Sequence, residues 1–194
     1  MKKSCLVLGY NKSQTCLIKF LKKKFNVKNY QKIPPLKEFK KSHFILSFGF
    51  RKIISENILS KLTKPIINIH LSFLPYNRGA HPNFWSFIKN TPSGVSIHEV
   101  DKGIDTGKVL FRKRIYMNIK KKNFSTFNKT YNHLYLEAEK LFKKNFNKIY
   151  NKNYQKKLYE RKKSFHNKKD LPKWMKDWNM NILEAKKIYK KTNN

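Results

Sequence analysis

The chain has 194 residues, two cysteines and a formal net charge of +34. That length accommodates one α/β domain with a short appendage and excludes a large multidomain assembly. Hydrophobic residues at 39% and charged residues at 29% approach the disordered range, but aromatics at 14% and apolar runs at strand and helix spacing argue for a folded core.

The first apolar run, 4–9, reads as a short buried strand ending at Gly9. Ser13 is positioned to cap a helix through about Lys24, with Leu17, Ile18 and Leu21 on one face. Val27 to Tyr30 reads as a second strand. Pro34-Pro35 marks a loop before a short helix to Lys40. His43 to Phe48, bounded by Gly49, has the continuous apolar character of a strand buried on both faces. Ser55 starts a helix with Ile58, Leu59 and Leu62 as apolar positions, and Pro65 ends it. Pro65 to His70 is the next strand. A long loop, 71–82, leads to a helix near Asn83 to Lys89. Two strands follow, Gly94 to Val100 and Lys108 to Met117, joined by the turn Asp101 to Gly107. Ser125 to Tyr150 is the clearest helix. Phe127, Tyr131, Leu134, Ala138, Leu141, Phe142 and Ile149 form one stripe at its 3–4 spacing. Residues 151–194 read as a lysine-rich extension, irregular except for a terminal helix from Ile182 to Tyr189.

Strand and helix alternation predicts a mostly parallel sheet with right-handed crossovers and flanking helices. The domain organisation expected is a catalytic domain over 1–150 and an extension over 151–194 packed on or near it. Cys5 and Cys16 form no disulfide framework and read as small core residues. No stretch approaches the roughly 20 apolar residues of a membrane span, which points to a soluble, cytoplasmic protein.

Chemistry concentrates in two stretches. The first is 68–85, NIHLSFLPYNRGAHPNFW. Asn68 and His70 sit two apart at a strand end, so both side chains share one face. Ligands gather at the carboxyl ends of such strands. An amide and an imidazole there can stabilise a developing oxyanion and handle a proton. The second stretch is 101–107, DKGIDTG, a turn with two carboxylates, Asp101 and Asp105. Gly103 and Gly107 give it freedom for positive φ and a tight fold. A carboxylate placed beside His70 would orient the ring and favour its charged form. Each stretch alone also fits an ordinary strand end or a plain turn.

Taken in order, Asn-x-His, the Ser-x-Leu-Pro loop, Arg-Gly, GVSIH and GIDTG resemble the 10-formyltetrahydrofolate-dependent formyltransferase family. The resemblance is strongest over 43–117. The stretches LGYNKSQTCLIKFL, RGAHPNFW and FHNKKD are most similar to sugar N-formyltransferase members. It implies a Rossmann-like formyltransferase fold in the α/β class. It also implies Asn68, His70 and Asp105 as catalytic residues. Ser47, Phe48, Gly49, Phe50 and Arg51, with Asp101, Gly103 and Ile104, would line the folate site. The Leu71 to Pro75 loop, with Ser72 and Leu74, would shape the site around the transferred group, and Arg78, Gly79 and His81 would meet the acceptor. His98 matches a family histidine near the site, and strand packing explains it as well. His81 stands where many sugar-type members carry an acid.

The reaction so implied moves a formyl group from 10-formyltetrahydrofolate to a primary amine, without a metal. The expected acceptor is a small phosphorylated molecule, a nucleotide-linked amino sugar. Methionyl-tRNA and glycinamide ribonucleotide are the alternatives. A non-catalytic basic module that binds nucleic acid is the reading from another class. Only five of the 45 basic residues are arginine. Lysine and asparagine share A- and T-rich codons, so codon bias on a solvated, diffusely basic surface accounts for the charge. An oligomer is compatible with this reading. No membrane partner is expected.

Overall fold

The computed structural model describes residues 2–159 and 164–192. In chain order the elements are β1 (Lys3–Gly9), α1 (Leu17–Lys22), β2 (Phe25–Tyr30), α2 (Leu36–Lys41), β3 (Phe44–Phe48), α3 (Glu56–Leu59) and β4 (Ile67–His70). These are followed by β5 (Arg78–Gly79), α4 (Pro82–Ile88), β6 (Gly94–Glu99), β7 (Val109–Arg114), α5 (Phe127–Tyr150), β8 (Phe165–His166) and α6 (Ile182–Thr192). Six strands make one sheet in the order β2-β1-β3-β4-β6-β7, and β5 pairs with β8 in a second. β1 pairs in parallel with β2 and β3, and β3 with β4. This is the mostly parallel α/β architecture expected of a Rossmann-like formyltransferase fold. The chain runs from β1 to one neighbour and returns to the other, which makes β1 and β3 the switch point of the winding.

The chain divides into two compact units. One comprises Met1–His70, Ile97–Phe111 and Glu139–Leu158; the other comprises Leu71–Ser96, Arg112–Ala138 and Tyr159–Asn194.

In the first unit, the apolar run of β1 buries Leu6 and Leu8 against Phe39, Ile45, Ile54 and Ile66. A second layer is aromatic: Phe20, Phe25, Phe44, Phe142, Phe146 and Tyr150 contact one another at ring-centroid distances of 5.3–6.4 Å. Several local readings shift here. Ser13 does not cap α1. Its N–H and hydroxyl both donate to Asn11 Oδ1 instead, and the helix begins at Leu17. The helix start is served from a distance by the buried Glu139 carboxylate of α5, which accepts from Thr15 Oγ1 at 2.6 Å and Cys16 N at 3.0 Å. Cys5 is buried and burial pushes its thiol up to about 12. Cys16 is exposed, not a core residue, because the turn before α1 aims it at Glu139 and Lys143. The helix after Ser55 lasts one turn and ends before Leu62.

In the second unit, Phe84, Trp85, Ile88, Phe127, Met175, Ile182 and Ala185 form the core. The segment 164–192 is more ordered than its composition suggests. Ser164 O accepts Arg78 N at 2.9 Å, His166 O accepts Ala80 N at 2.8 Å, and the His166 ring stacks on Trp85 at 4.2 Å. Met175 is buried, Trp174 packs on the core, and Trp178 stacks on His81 while staying 39% exposed. Among the described residues, no helix is long and apolar enough to cross a membrane.

The stripe of α5 differs from its sequence reading at three places. Phe146 is buried, whereas Leu141 and Tyr131 are only half-buried. Phe142→Ala is therefore expected to cost about 3–5 kcal/mol of stability in denaturant unfolding, and Leu141→Ala clearly less. The stacked His166 gives a second test. Desolvation lowers its pKa from 6.5. The unfolded chain then binds more protons than the folded one near that pH, so stability falls as pH drops below 6.5. His166→Phe, which keeps a ring on Trp85, is expected to flatten that fall. Parallel unfolding curves against pH would refute the assignment.

Candidate active site

Three backbone segments of the first unit bring the polar cluster together. β4 supplies Asn68 and His70 from one face of its last turn of pleat. β6 supplies His98. The turn 101–107 supplies Asp105. β4 is held in register by β3, with Ser47 opposite Asn68. At the ends of β1 and β3, Gly9 and Gly49 adopt φ of 103° and 69°. A side chain on Gly9 would collide with the Phe48 carbonyl, and one on Gly49 with the Tyr10 ring. Glycine is required at both because the two strand ends approach so closely.

The turn folds differently from expectation. Neither Gly103 nor Gly107 has positive φ; the left-handed residue is Asp105 itself, at 51°. The two glycines serve close approach. A Cβ on Gly107 would strike the Glu99 carbonyl, and one on Gly103 the Thr106 hydroxyl. Asp101 staples the turn by accepting Gly103 N at 3.1 Å and Thr106 Oγ1 at 2.6 Å. Aspartate tolerates the left-handed region better than most residues, and such conformers concentrate at functional sites.

The result is a carboxylate between two imidazoles. Asp105 Oδ2 lies 3.6 Å from His70 Nε2, and Oδ1 lies 3.3 Å from His98 Nε2. Asn68 Nδ2 is 3.4 Å from Asp105 Oδ1 and 3.0 Å from His98 Nε2. His98 is nearly fully buried, and its Nδ1 is 2.8 Å from the Glu99 carbonyl. A carbonyl only accepts, so Nδ1 carries the hydrogen, and in the neutral ring Nε2 accepts from the Asn68 amide. His98 thus does more than pack the strand. Glu99 is fixed in turn, its carboxylate accepting from Tyr154 Oη at 3.3 Å and Lys156 Nζ at 2.8 Å. Burial, with the Glu99 charge, pushes the Tyr154 phenol up to about 12.

The other expected site residues fall into two groups. In the first unit, Ser47 and Phe48 are buried, and the Phe48 carbonyl already accepts Tyr10 N at 2.9 Å. Gly49 and Phe50 are half-buried, and Arg51 is exposed. Ile104, beside Asp105, is 42% exposed, and Asp101 is occupied within its own turn. In the second unit, Ser72 and Leu74 are buried; the Ser72 hydroxyl donates to the Tyr76 carbonyl and Leu74 N donates to Ser96 Oγ. Arg78 and Gly79 form β5, where a Cβ on Gly79 would meet the His166 carbonyl. His81, at φ 52°, precedes α4 with its ring on Trp178. The sequence reading did not single out Arg112, whose guanidinium lies over the Phe73 and Tyr159 rings. Its one sequence signal is that arginine is scarce in this chain. Among the described residues no group of three or more His, Cys, Asp or Glu is placed to hold a metal ion.

An amide, two imidazoles and a carboxylate at the ends of parallel strands, with a glycine-bearing turn over them, define a class of group-transfer sites. The sequence profile described as formyl transferase matches residues 16–142, and the chain belongs to that family. Over its fold the chain is similar to the formyltransferase PseJ from Anoxybacillus kamchatkensis, solved with UDP-4,6-dideoxy-4-formamido-L-AltNAc and tetrahydrofolate. The TM-score is 0.84 and the identity 31%, over 93% of this chain and 96% of that one. Among curated relatives, methionyl-tRNA formyltransferase of Solibacter usitatus is 39% identical over 66 residues, 34% of this chain and 21% of that protein. GDP-perosamine N-formyltransferase of Brucella melitensis is 31% identical over 98 residues, 50% of this chain and 38% of that protein. The chain thus spans about a fifth to two fifths of the curated relatives it matches.

The His98 geometry is open to a direct check. In 15N-labelled protein with neutral imidazoles, His98 is expected to show its proton on Nδ1. Asn68→Leu should shift the Nε2 resonance by removing its donor. A ring protonated on Nε2 would contradict the arrangement.

Proposed function

We propose that this chain transfers a formyl group from 10-formyltetrahydrofolate to a primary amine on a nucleotide-linked sugar. The observation that carries the reading is the cluster of Asn68, His70, His98 and Asp105. Asp105 Oδ2, 3.6 Å from its Nε2, orients the His70 ring. The Asn68 amide hydrogens face His98 Nε2 at 3.0 Å and Asp105 Oδ1 at a long 3.4 Å, and the second, weaker contact is the one exchanged for the formyl oxygen when the donor binds. Asn68 and a ring N–H of His70 then present two donors to the formyl oxygen as charge builds on it. Asp105 helps remove the proton of the attacking amine, directly or through water; collapse of the tetrahedral adduct then breaks the bond to folate N10, which takes up a proton and leaves as tetrahydrofolate.

The formyl donor is a substrate of the reaction. Gly49, Phe50, Arg51, Gly103 and Ile104 are the residues available to hold it, because they retain exposed surface beside the two strand-end loops. The exposed Ile104 side chain suits a flat heteroaromatic ring. Arg78 and His81 are assigned to the acceptor.

The likeness to PseJ over nearly all of both chains favours a sugar nucleotide. The methionyl-tRNA relatives and the charge of +34 support the second reading, a tRNA acceptor. An acceptor panel decides between them. It comprises UDP-4-amino-4,6-dideoxy-L-AltNAc, GDP-perosamine, methionyl-tRNA and glycinamide ribonucleotide, each with 10-formyltetrahydrofolate. The expected outcome is a mass gain of one formyl group on a sugar nucleotide. Formylation of methionyl-tRNA alone would overturn the assignment. Asn68→Ala and His70→Ala should each lower kcat by about 10²–10³, the usual loss for a preorganised donor. Absence of tetrahydrofolate binding would favour the non-catalytic module instead.

A further inference from the structure

We propose that Arg112 is a positioning residue for the loop 71–76, and through that loop for the acceptor; the second part rests on the formyl-transfer reading.

The argument begins with the polar groups of the loop, which leaves the strand that carries His70. Ser96 Oγ donates to the Ser72 carbonyl at 2.7 Å and accepts Leu74 N at 3.1 Å. Tyr76 N donates to the Phe73 carbonyl at 3.2 Å, and Ser72 Oγ donates to the Tyr76 carbonyl. Ser164 N donates to the Pro75 carbonyl at 3.3 Å. The Leu74 carbonyl is the one that depends on a charged side chain: Arg112 Nη1 donates to it. Every other bond in the set is made by neutral groups of the loop or its neighbours.

The guanidinium is itself immobilised. It lies 4.2 Å from the Phe73 ring centroid and 3.5 Å from that of Tyr159. Among the described residues it has no carboxylate partner. Two rings pack against it, and its Nη1 meets the Leu74 carbonyl. Phe73 belongs to the loop, so Arg112 grips the loop twice, by a ring and by a carbonyl.

Composition sharpens the point. Arginine fills only five of the 45 basic positions, and the adjacent Lys113 and Arg114 are exposed. A lysine at 112 could reach the carbonyl as a point charge. It could not lie flat against two rings at the same time. A purely structural surface position would not need that geometry.

Two measurements on the full-length protein test the proposal. The first needs no reaction. In Arg112→Gln, amide hydrogen exchange is expected to quicken at Leu74 and Tyr76, while the strands β1, β3 and β4 keep wild-type protection. Unchanged exchange in the loop, or a uniform rise across the chain, would overturn the positioning role. The second uses the panel acceptor that the wild type formylates, starting with UDP-4-amino-4,6-dideoxy-L-AltNAc. Arg112→Gln should lower acceptor kcat/KM by about 10- to 100-fold, the scale of a misplaced reactant, with the donor KM unchanged. Arg112→Lys should recover only part of that loss. An equal rise in both KM values, or full rescue by lysine, would refute the acceptor link. If the wild type formylates no acceptor, the transfer reading fails, while the exchange result still decides the loop assignment.

Discussion

The Asp105 carboxylate faces His70, His98 and Asn68 at once, at 3.6, 3.3 and 3.4 Å, and the surrounding backbone is shaped by that requirement. An ionised carboxylate gains from the donors aimed at it, here the Asn68 amide and the His70 ring, and gains more where little water competes. The Asp105 side chain is only 13% exposed, so its partners must be in place before substrate arrives. The turn meets this by taking its left-handed residue at Asp105 and by packing Gly107 on the Glu99 carbonyl. That same carbonyl accepts His98 Nδ1. One backbone group thus sets the approach of the turn and the tautomer of the ring. A displacement of Glu99 would disturb both the carboxylate and the amide of Asn68.

The second unit solves a related problem with different means. Its 71–76 loop has no regular ladder, yet the carbonyls from Ser72 to Tyr76 each accept a hydrogen bond. Ser72, Ser96, Ser164 and Arg112 supply what a sheet would otherwise provide. The loop is irregular in outline and fixed in position, as a site-forming segment must be. The short β5–β8 pairing does the same for 78–79, with His166 stacked behind on Trp85. Asn77 and His81, flanking that pair, both adopt left-handed conformations at φ 52°.

Much of this was legible in the residues, for physical reasons that also mark where legibility stopped. The strands β1, β3 and β4 are apolar runs long enough to be buried on both faces, and periodicity finds them. Asn68 and His70 follow from strand alternation alone. Interactions between residues distant in sequence leave no such trace. The cap of α1 comes from Glu139, more than a hundred positions away, so the nearby Ser13 looked like the better candidate. Two-residue strands carry no period, so β5 and β8 read as loop and tail. Along α5, the buried face admits Phe146 and leaves Leu141 half-exposed, a rotation too small for a sequence stripe to fix. The glycines of the turn read as freedom for positive φ, whereas the fold uses them for close approach. Lack of a Cβ serves there for contact, and only the neighbours' positions reveal it.

The extreme charge also takes on a physical meaning in the folded chain. Eleven acidic residues face 45 basic ones, so each acid is a scarce resource. Glu38, Glu137 and Glu99 each hold a lysine, Glu139 serves the start of α1, and Asp101 closes the turn. Asp170 completes a capping box with Asn167, and Asp177 accepts Asn179 N. Glu56 and Glu184 occupy the first turns of α3 and α6. Asp105 stands in the polar cluster. The described acids are thereby committed to local structure, and eleven acids cannot pair with 45 basic residues one to one. The positive potential is the remainder of that allocation. Long-range attraction of anionic ligands follows from it and weakens as salt screens the surface, whereas the contacts around Asp105, largely shielded from solvent, share less of that sensitivity.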